Sequence, residues 1–136
     1  MTSSLRKQII LFSLYTITFL WACSEVTPEE QAARAARTYY QCLVDDRPAE
    51  FLDGKIGADS LPADYRAQML AAINQYRADM LDKHEGLSAV EISSNVGRQD
   101  TTLHLTYAFI LLCYGDSTQE EITVPLVHHD GRWLMK

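Results

Sequence analysis

No glycine-rich phosphate loop, no serine set between glycines at a strand-to-helix elbow and no paired Cys-x-x-Cys spacing occurs in the chain. Those absences remove three readings: a nucleotide-cradling loop, a hydrolase nucleophile and a closed zinc site. Basic charge is scarce as well, with 12 Lys and Arg against 18 Asp and Glu and a net charge of −6. Nucleic acid is a poor partner for such a surface, because neutralising phosphates needs clustered cations and these are scattered. Internal repeats and low-complexity tracts are missing too. What remains is 136 residues, 47% of them hydrophobic and 22% charged, a balance that fits one globular domain with a single core and no cofactor motif.

The one long apolar run is short of a membrane span. It extends from Ile9 to Ala22 behind Arg6 and Lys7, whereas a bilayer-crossing helix needs about 20 apolar residues. A basic start, an apolar middle and small residues at a cut site are the layout of a secretory signal. Ordinary cleavage prefers small residues at the third and last positions before the cut, and Leu20 fits that poorly. The tetrad Leu20-Trp21-Ala22-Cys23 instead resembles a bacterial lipobox. That resemblance implies that the Cys23 thiol receives a diacylglyceryl group, that cleavage makes Cys23 the new N-terminus, and that its amine is then open to acylation. Two or more acyl chains anchor a protein where a single chain binds only marginally.

The expected division is therefore a signal peptide over 1–22, a lipidated tether over 23–28 and one domain over 29–136. The plainer alternative is a secretion signal that is simply cleaved, or an uncleaved anchor. Ser24 after the cysteine resembles the pattern sent to the outer membrane in some bacteria, and Glu25, Glu29 and Glu30 suit export to the cell surface in others. The expected address is the cell envelope, at the outer membrane. Without Arg6 and Lys7 the remainder is more acidic still, at about −8, which favours solubility and weak repulsion from anionic headgroups. With Cys23 used, Cys42 and Cys113 remain. In an oxidising compartment they could form a disulfide closing a loop of about 70 residues, worth on the order of 4 kcal/mol in the chain-entropy model. The bland alternative is two free thiols packed as small hydrophobes.

Helices come first. Thr27 can cap a helix, Pro28 suits its first position and Glu30 completes a capping box. Ala33, Ala36, Tyr40, Leu43 and Val44 then recur at helical spacing. RPAEFLDG reads as a short second helix. Pro62 opens a third that runs to about Glu85, with Tyr65, Met69, Ile73, Tyr76 and Met80 on one stripe and Gly86 as its stop. Beyond Leu87 the period becomes two. SAVEISSNV is a strand with Val90, Ile92 and Val96 on one side, GRQD a turn, and TTLHLTYAFILLCY a long strand apolar on both faces in its second half, which implies cover on both. TQEEITVPLVHH follows, with Ile122, Val124 and Leu126 on one face, and Asp130-Gly131 turns a hairpin into RWLMK. The expected fold is α+β, with N-terminal helices packed on a curved antiparallel sheet.

The helix ARTYYQCLVDDRPAEFLD, the long helix ending at EGLSAVEI, the strand pair and the closing V-x-L-V-x-x-D-G-R-W together resemble small bacterial lipoproteins of an uncharacterised domain family. That family is related to the nuclear transport factor 2-like superfamily, whose cone-shaped fold wraps a curved sheet around helices. Many relatives carry paired glycines ahead of the first strand, where this chain has Glu85-Gly86.

Chemistry-bearing residues are few. His128 and His129 are strand neighbours whose side chains point to opposite faces, so they cannot easily share a metal, and Asp130 belongs to the turn. His84 is placed to favour the negative end of the third helix dipole. Some cone-fold enzymes move a proton with a carboxylate and a Tyr or His in an apolar cavity. The candidates for such a role are Tyr39, Tyr40, Asp45, Asp46 and His104, although nothing in the sequence ties them into one site. Tyr40, Tyr107, Phe109 and Trp133 are candidates to line a pocket and are more simply core. The expected function is a lipid-anchored envelope protein, attached to the membrane through Cys23, that holds a partner protein or a small apolar ligand without catalysis. A cone-fold enzyme of proton transfer or dehydration, and a module that dimerises through its sheet face, are the alternatives.

Overall fold

The computed structural model describes residues 24–136; the segment 1–22 that the sequence suggests as a signal peptide, and Cys23, lie outside the described residues. Helix α1 (Pro28–Val44) starts as its sequence requires, with the Thr27 hydroxyl accepting from the Glu30 amide at 3.2 Å and Pro28 in the first turn. Helix α2 (Pro48–Asp53) follows, then a 3₁₀ turn (Ala58–Ser60), and then α3 (Ala63–His84). Strands β1 (Leu87–Asp100), β2 (Leu105–Tyr114), β3 (Gln119–His129) and β4 (Arg132–Met135) form an antiparallel sheet in the order β1-β2-β3-β4. Segment 54–56 extends that sheet beyond β4, with the Ile56 amide donating to the Met135 carbonyl and the Met135 amide to Gly54, both at 2.8 Å.

Helix α1 lies in the hollow of the sheet because its inward stripe is small. Ala32, Ala33 and Ala36 are fully buried, and Ala108 of β2 is fully buried opposite. Alanine on both surfaces lets helix and sheet backbones approach closely. Ile110, Leu112, Leu126 and Met135 then close the core around them. Gly97 lies beside Glu29 of α1, but what requires glycine there is the neighbouring strand: a Cβ would meet the Tyr107 carbonyl oxygen of β2 at 2.5 Å.

That use of Gly97 explains a correction to the sequence reading. GRQD is not the turn; β1 runs through it, and the chain reverses at Thr101–His104. The Asp100 carboxylate drives the reversal by accepting from the Thr102 and Leu103 amides, both at 3.0 Å. Upstream, Ile92 pairs Ile110 and Gly97 pairs Ala108, so Ser93 to Val96 bulge opposite Phe109 alone. The bulge forces Val96 to φ 57°, an uncommon state for a β-branched residue. In exchange, Val96 packs against the core.

Helix α3 departs further from expectation. Of the stripe read from the sequence, Ile73 and Met80 are buried, while Tyr65 and Tyr76 remain exposed. Its end bears on the paired-glycine position: Glu85 at φ 61° and Gly86 at φ 87° are both left-handed, so the chain keeps the backbone that two glycines would adopt easily.

Strand β2 alternates strictly. Thr106, Ala108, Ile110, Leu112 and Tyr114 face α1, whereas Tyr107, Phe109, Leu111 and Cys113 point to the other side and are half-buried. The second cover implied by the apolar run is thus not supplied by a helix among the described residues.

Candidate functional site

Tyr76, Met80 and His84 stand four residues apart, so α3 carries them on one face. It brings them over the end of the sheet where β2 turns into β3. Tyr114, the last residue of β2, is 6% exposed, and its hydroxyl donates to Glu120 Oε2 at 2.6 Å. The two meet because Leu112 pairs Glu120 in the ladder, which sets Tyr114 and Glu120 diagonally on the helix side of the sheet. The His84 ring stacks on the Tyr114 ring, with centroids 4.3 Å apart and planes at 18°. Its Nδ1 lies 3.2 Å from Asp116 Oδ2. Asp116 belongs to the turn, where its Oδ1 accepts from the Thr118 hydroxyl at 2.5 Å and the Thr118 amide at 3.0 Å.

Tyr76, Met80, His84, Tyr114 and Glu120, with Asp79 and Lys83, line a cleft of about 240 Å³ between α3 and the sheet, and Asp116 stands behind His84. The electrostatics of the cleft favour neutral phenols. Burial, then the hydrogen bond to Glu120, pushes Tyr114 far above the ordinary tyrosine range. Burial and then the Glu120 charge raise Tyr76. Tyr40, packed edge-on against Phe51 at 5.0 Å, is pushed up to about 12 by burial and then by Tyr76. The Thr118 hydroxyl, before the Thr118 amide and His84, holds the Asp116 carboxyl below its usual range. With the Tyr114 proton committed to Glu120, the cleft offers the Tyr76 phenol as donor beside the Glu120 carboxyl and a fixed imidazole. That set orients a small polar head group, while Met80 and the Tyr76 ring supply an apolar wall.

The residues singled out by sequence are mostly elsewhere. Tyr40 and Trp133 lie on the helix side of the sheet and Tyr107 and Phe109 on the opposite face, so the four do not line one pocket; the alternation of β2 separates them. Trp133 instead donates from Nε1 to Gln31 at 3.2 Å, and the Tyr39 hydroxyl donates to the Trp133 carbonyl at 2.6 Å. Asp45 and Asp46 sit at the end of α1, paired with Arg47 at 3.1 Å and Arg77 at 2.7 Å. His104 is exposed in the β1–β2 turn at φ 53°. None of these acids or histidines joins Tyr40.

Cys42 and Cys113 are free thiols. Cys42 sits in α1 and donates to the Thr38 carbonyl, whereas Cys113 lies on the outer face of β2; the sheet stands between them, and of the two readings of the pair it is the free thiols, not the disulfide, that the structure has. The closing cluster turns a corner, as its sequence indicates. His128 contacts the Trp133 ring, His129 meets Asp130 at 3.2 Å, and Asp130 and Gly131 take φ 49° and 76°.

Sequence reasoning missed Tyr114, Asp116 and Glu120. The usable signal was parity: with GDST as the turn, Leu112, Tyr114, Glu120 and Ile122 fall on one face, and the short link after His84 returns the end of α3 to that place. No family model matches this chain, and no curated protein matches its sequence. Among solved structures it is similar to a candidate nuclear transport factor 2-like transpeptidase from Campylobacter jejuni, at 10% identity and a TM-score of 0.55, over 74% of this chain and 92% of that one. At that identity the likeness is one of architecture, and with the helix-filled curved sheet it shows that this chain has the nuclear transport factor 2-like fold.

Proposed function

We propose that this chain is a lipid-anchored protein of the bacterial cell envelope whose body is a non-enzymatic binding module, with the cleft under α3 as its ligand site. One observation carries the choice of binding over catalysis. Among the described residues no carboxylic acid, histidine, lysine or arginine is buried; the ionisable side chains that are buried are Tyr114, whose hydroxyl is held by Glu120, and Cys42, whose thiol is held by the Thr38 carbonyl. A proton-transfer centre draws its power from an ionisable group kept out of water. Here Glu120 is exposed, and both it and His84 are held by a neighbour. Fixed polar groups beside an apolar wall are what a small-molecule site needs. The ligand that fits is small, with an apolar body and a hydrogen-bonding head.

The tether rests on Leu20-Trp21-Ala22-Cys23 and its likeness to a lipobox. The test is intact-mass analysis of membrane-extracted protein, with and without Cys23→Ser, followed by identification of any small molecule that copurifies. A diacylglyceryl adduct on the native chain, absent from Cys23→Ser, is expected, together with a bound molecule lost in Glu120→Ala. An unmodified Cys23 refutes the anchor, and a bound molecule indifferent to Glu120→Ala refutes the site.

A second reading has its own observation. The Asp116 contact to His84 Nδ1 is the arrangement that orients an imidazole as a base through its other nitrogen, and the Campylobacter protein is named as a candidate transpeptidase. Turnover of an acyl substrate that His84→Gln abolishes would put an enzyme in place of the binding module.

A further inference from the structure

From where α1 begins, we infer that the protein stands on the membrane with the β1–β2 hairpin tip, led by Leu103, docked into the phospholipid headgroup layer. This rests on the proposed anchoring at Cys23 and adds an orientation to it. Cys23 lies five residues before Pro28, a reach of at most about 18 Å even when fully extended. The point where the tether leaves the body is fixed: Gln31 donates to the Val26 carbonyl at 3.4 Å, Trp133 holds Gln31 from β4, and Glu29 lies against Gly97. All of these contacts are at one end of the sheet.

That end carries both hairpin tips, because Asp100 pairs Leu105 and His129 pairs Arg132. An acylated Cys23 therefore holds those tips near the bilayer. At the first tip Leu103 is 58% exposed, an apolar side chain lifted into solvent by a turn that Asp100 secures. A leucine so placed is left unburied by the described residues and is suited to the headgroup and acyl boundary.

Charge does not choose between the two ends: Arg98 and Arg132 stand with Glu29, Glu30, Asp100 and Asp130 at this one, and Lys83 with Asp79, Asp82, Glu85 and Glu120 at the other, so the orientation rests on the tether and on Leu103. Sheet length sets the geometry: ten residues of β2 span about 34 Å, roughly twice the reach of the tether.

The experiment uses the lipidated chain in vesicles of phosphatidylethanolamine and phosphatidylglycerol, compared by hydrogen exchange with the water-soluble Cys23→Ser form. Amides of residues 101–104 should exchange several-fold more slowly on vesicles, and those of 115–118 should not change. The same chain carrying Leu103→Asp should lose most of the protection at 101–104 while staying vesicle-bound through its lipid. Protection at 115–118 instead, or none at 101–104, with Cys23 acylated by mass, overturns the orientation and leaves the anchor standing. An unmodified Cys23 overturns both.

Discussion

Raising the pH past 10 should unfold this protein sooner than its charge alone would, and Tyr40 is the reason. In the unfolded chain a tyrosine loses its proton near pH 10. In the fold Tyr40 keeps it to about 12, because burial beside Phe51 penalises the phenolate and Tyr76 adds to that penalty. Below pH 10 both states hold the proton and stability is complete. Between 10 and 12 the unfolded chain has released a proton that the native chain retains, so stability falls with pH by ~1.4 kcal/mol per unit, reaching roughly 2 to 3 kcal/mol by pH 12. Tyr76 and Tyr114 are raised as well and act in the same direction. The assay is urea unfolding at steps from about pH 8 to about pH 11, on the native body and on Tyr40→Phe, with tyrosinate absorbance followed in parallel. The native slope should be steeper than the variant's. Equal slopes, or a Tyr40 that ionises with the exposed tyrosines, would refute the reasoning.

Three substitutions probe the frame. Thr27→Ala removes the acceptor of the Glu30 amide and should cost about 1 kcal/mol in urea unfolding, with the sheet unchanged by circular dichroism. Glu85→Gly should stabilise by about 1 kcal/mol, since glycine takes φ 61° without the strain a side chain incurs; a loss of stability would show that the Glu85 side chain contributes more than its backbone costs. Ala36→Leu forces a large side chain between α1 and the sheet and should cost about 1–3 kcal/mol, read as a lower thermal midpoint.

Local rules were legible wherever one residue decides the outcome. Thr27-Pro28 starts α1, Asp130-Gly131 turns the last hairpin, and the alternation of β3 puts Val124 and Leu126 in the core. The sequence misled where two rules competed. Gly97 looked like a turn residue, but close approach of the β2 backbone at Tyr107 claimed it, and the turn moved to an aspartate that could hydrogen-bond its own loop. In β2 nearly every residue from Tyr107 to Cys113 is apolar, so composition could not say which face met α1. The even set won because Ala108 admits the alanines of α1, which a Phe or Tyr there would not. That choice broke up the proposed pocket of Tyr40, Tyr107, Phe109 and Trp133. The cleft that exists was hidden for a different reason. Tyr114, Glu120 and His84 belong to three elements, and only the three-dimensional return of α3 makes them neighbours.

The placement of that cleft ties the two proposals together. Tyr114 and Glu120 flank the β2–β3 turn, whereas α1 begins beside the β1–β2 and β3–β4 turns, at the opposite end of the sheet. A body standing on Leu103 would hold the cleft about a strand length, ~34 Å, from the anchored end, beyond the Debye length of ~8–10 Å over which headgroup charge acts. A ligand of the proposed kind whose hydrogen-bonding head is charged could then reach Glu120 and Lys83 without crossing the field of the membrane surface. A body lying on its outer sheet face would instead bring the cleft close to the lipid and make binding depend on anionic lipid content. Ligand affinity on vesicles with and without phosphatidylglycerol separates the two arrangements, and the upright one requires the two values to agree.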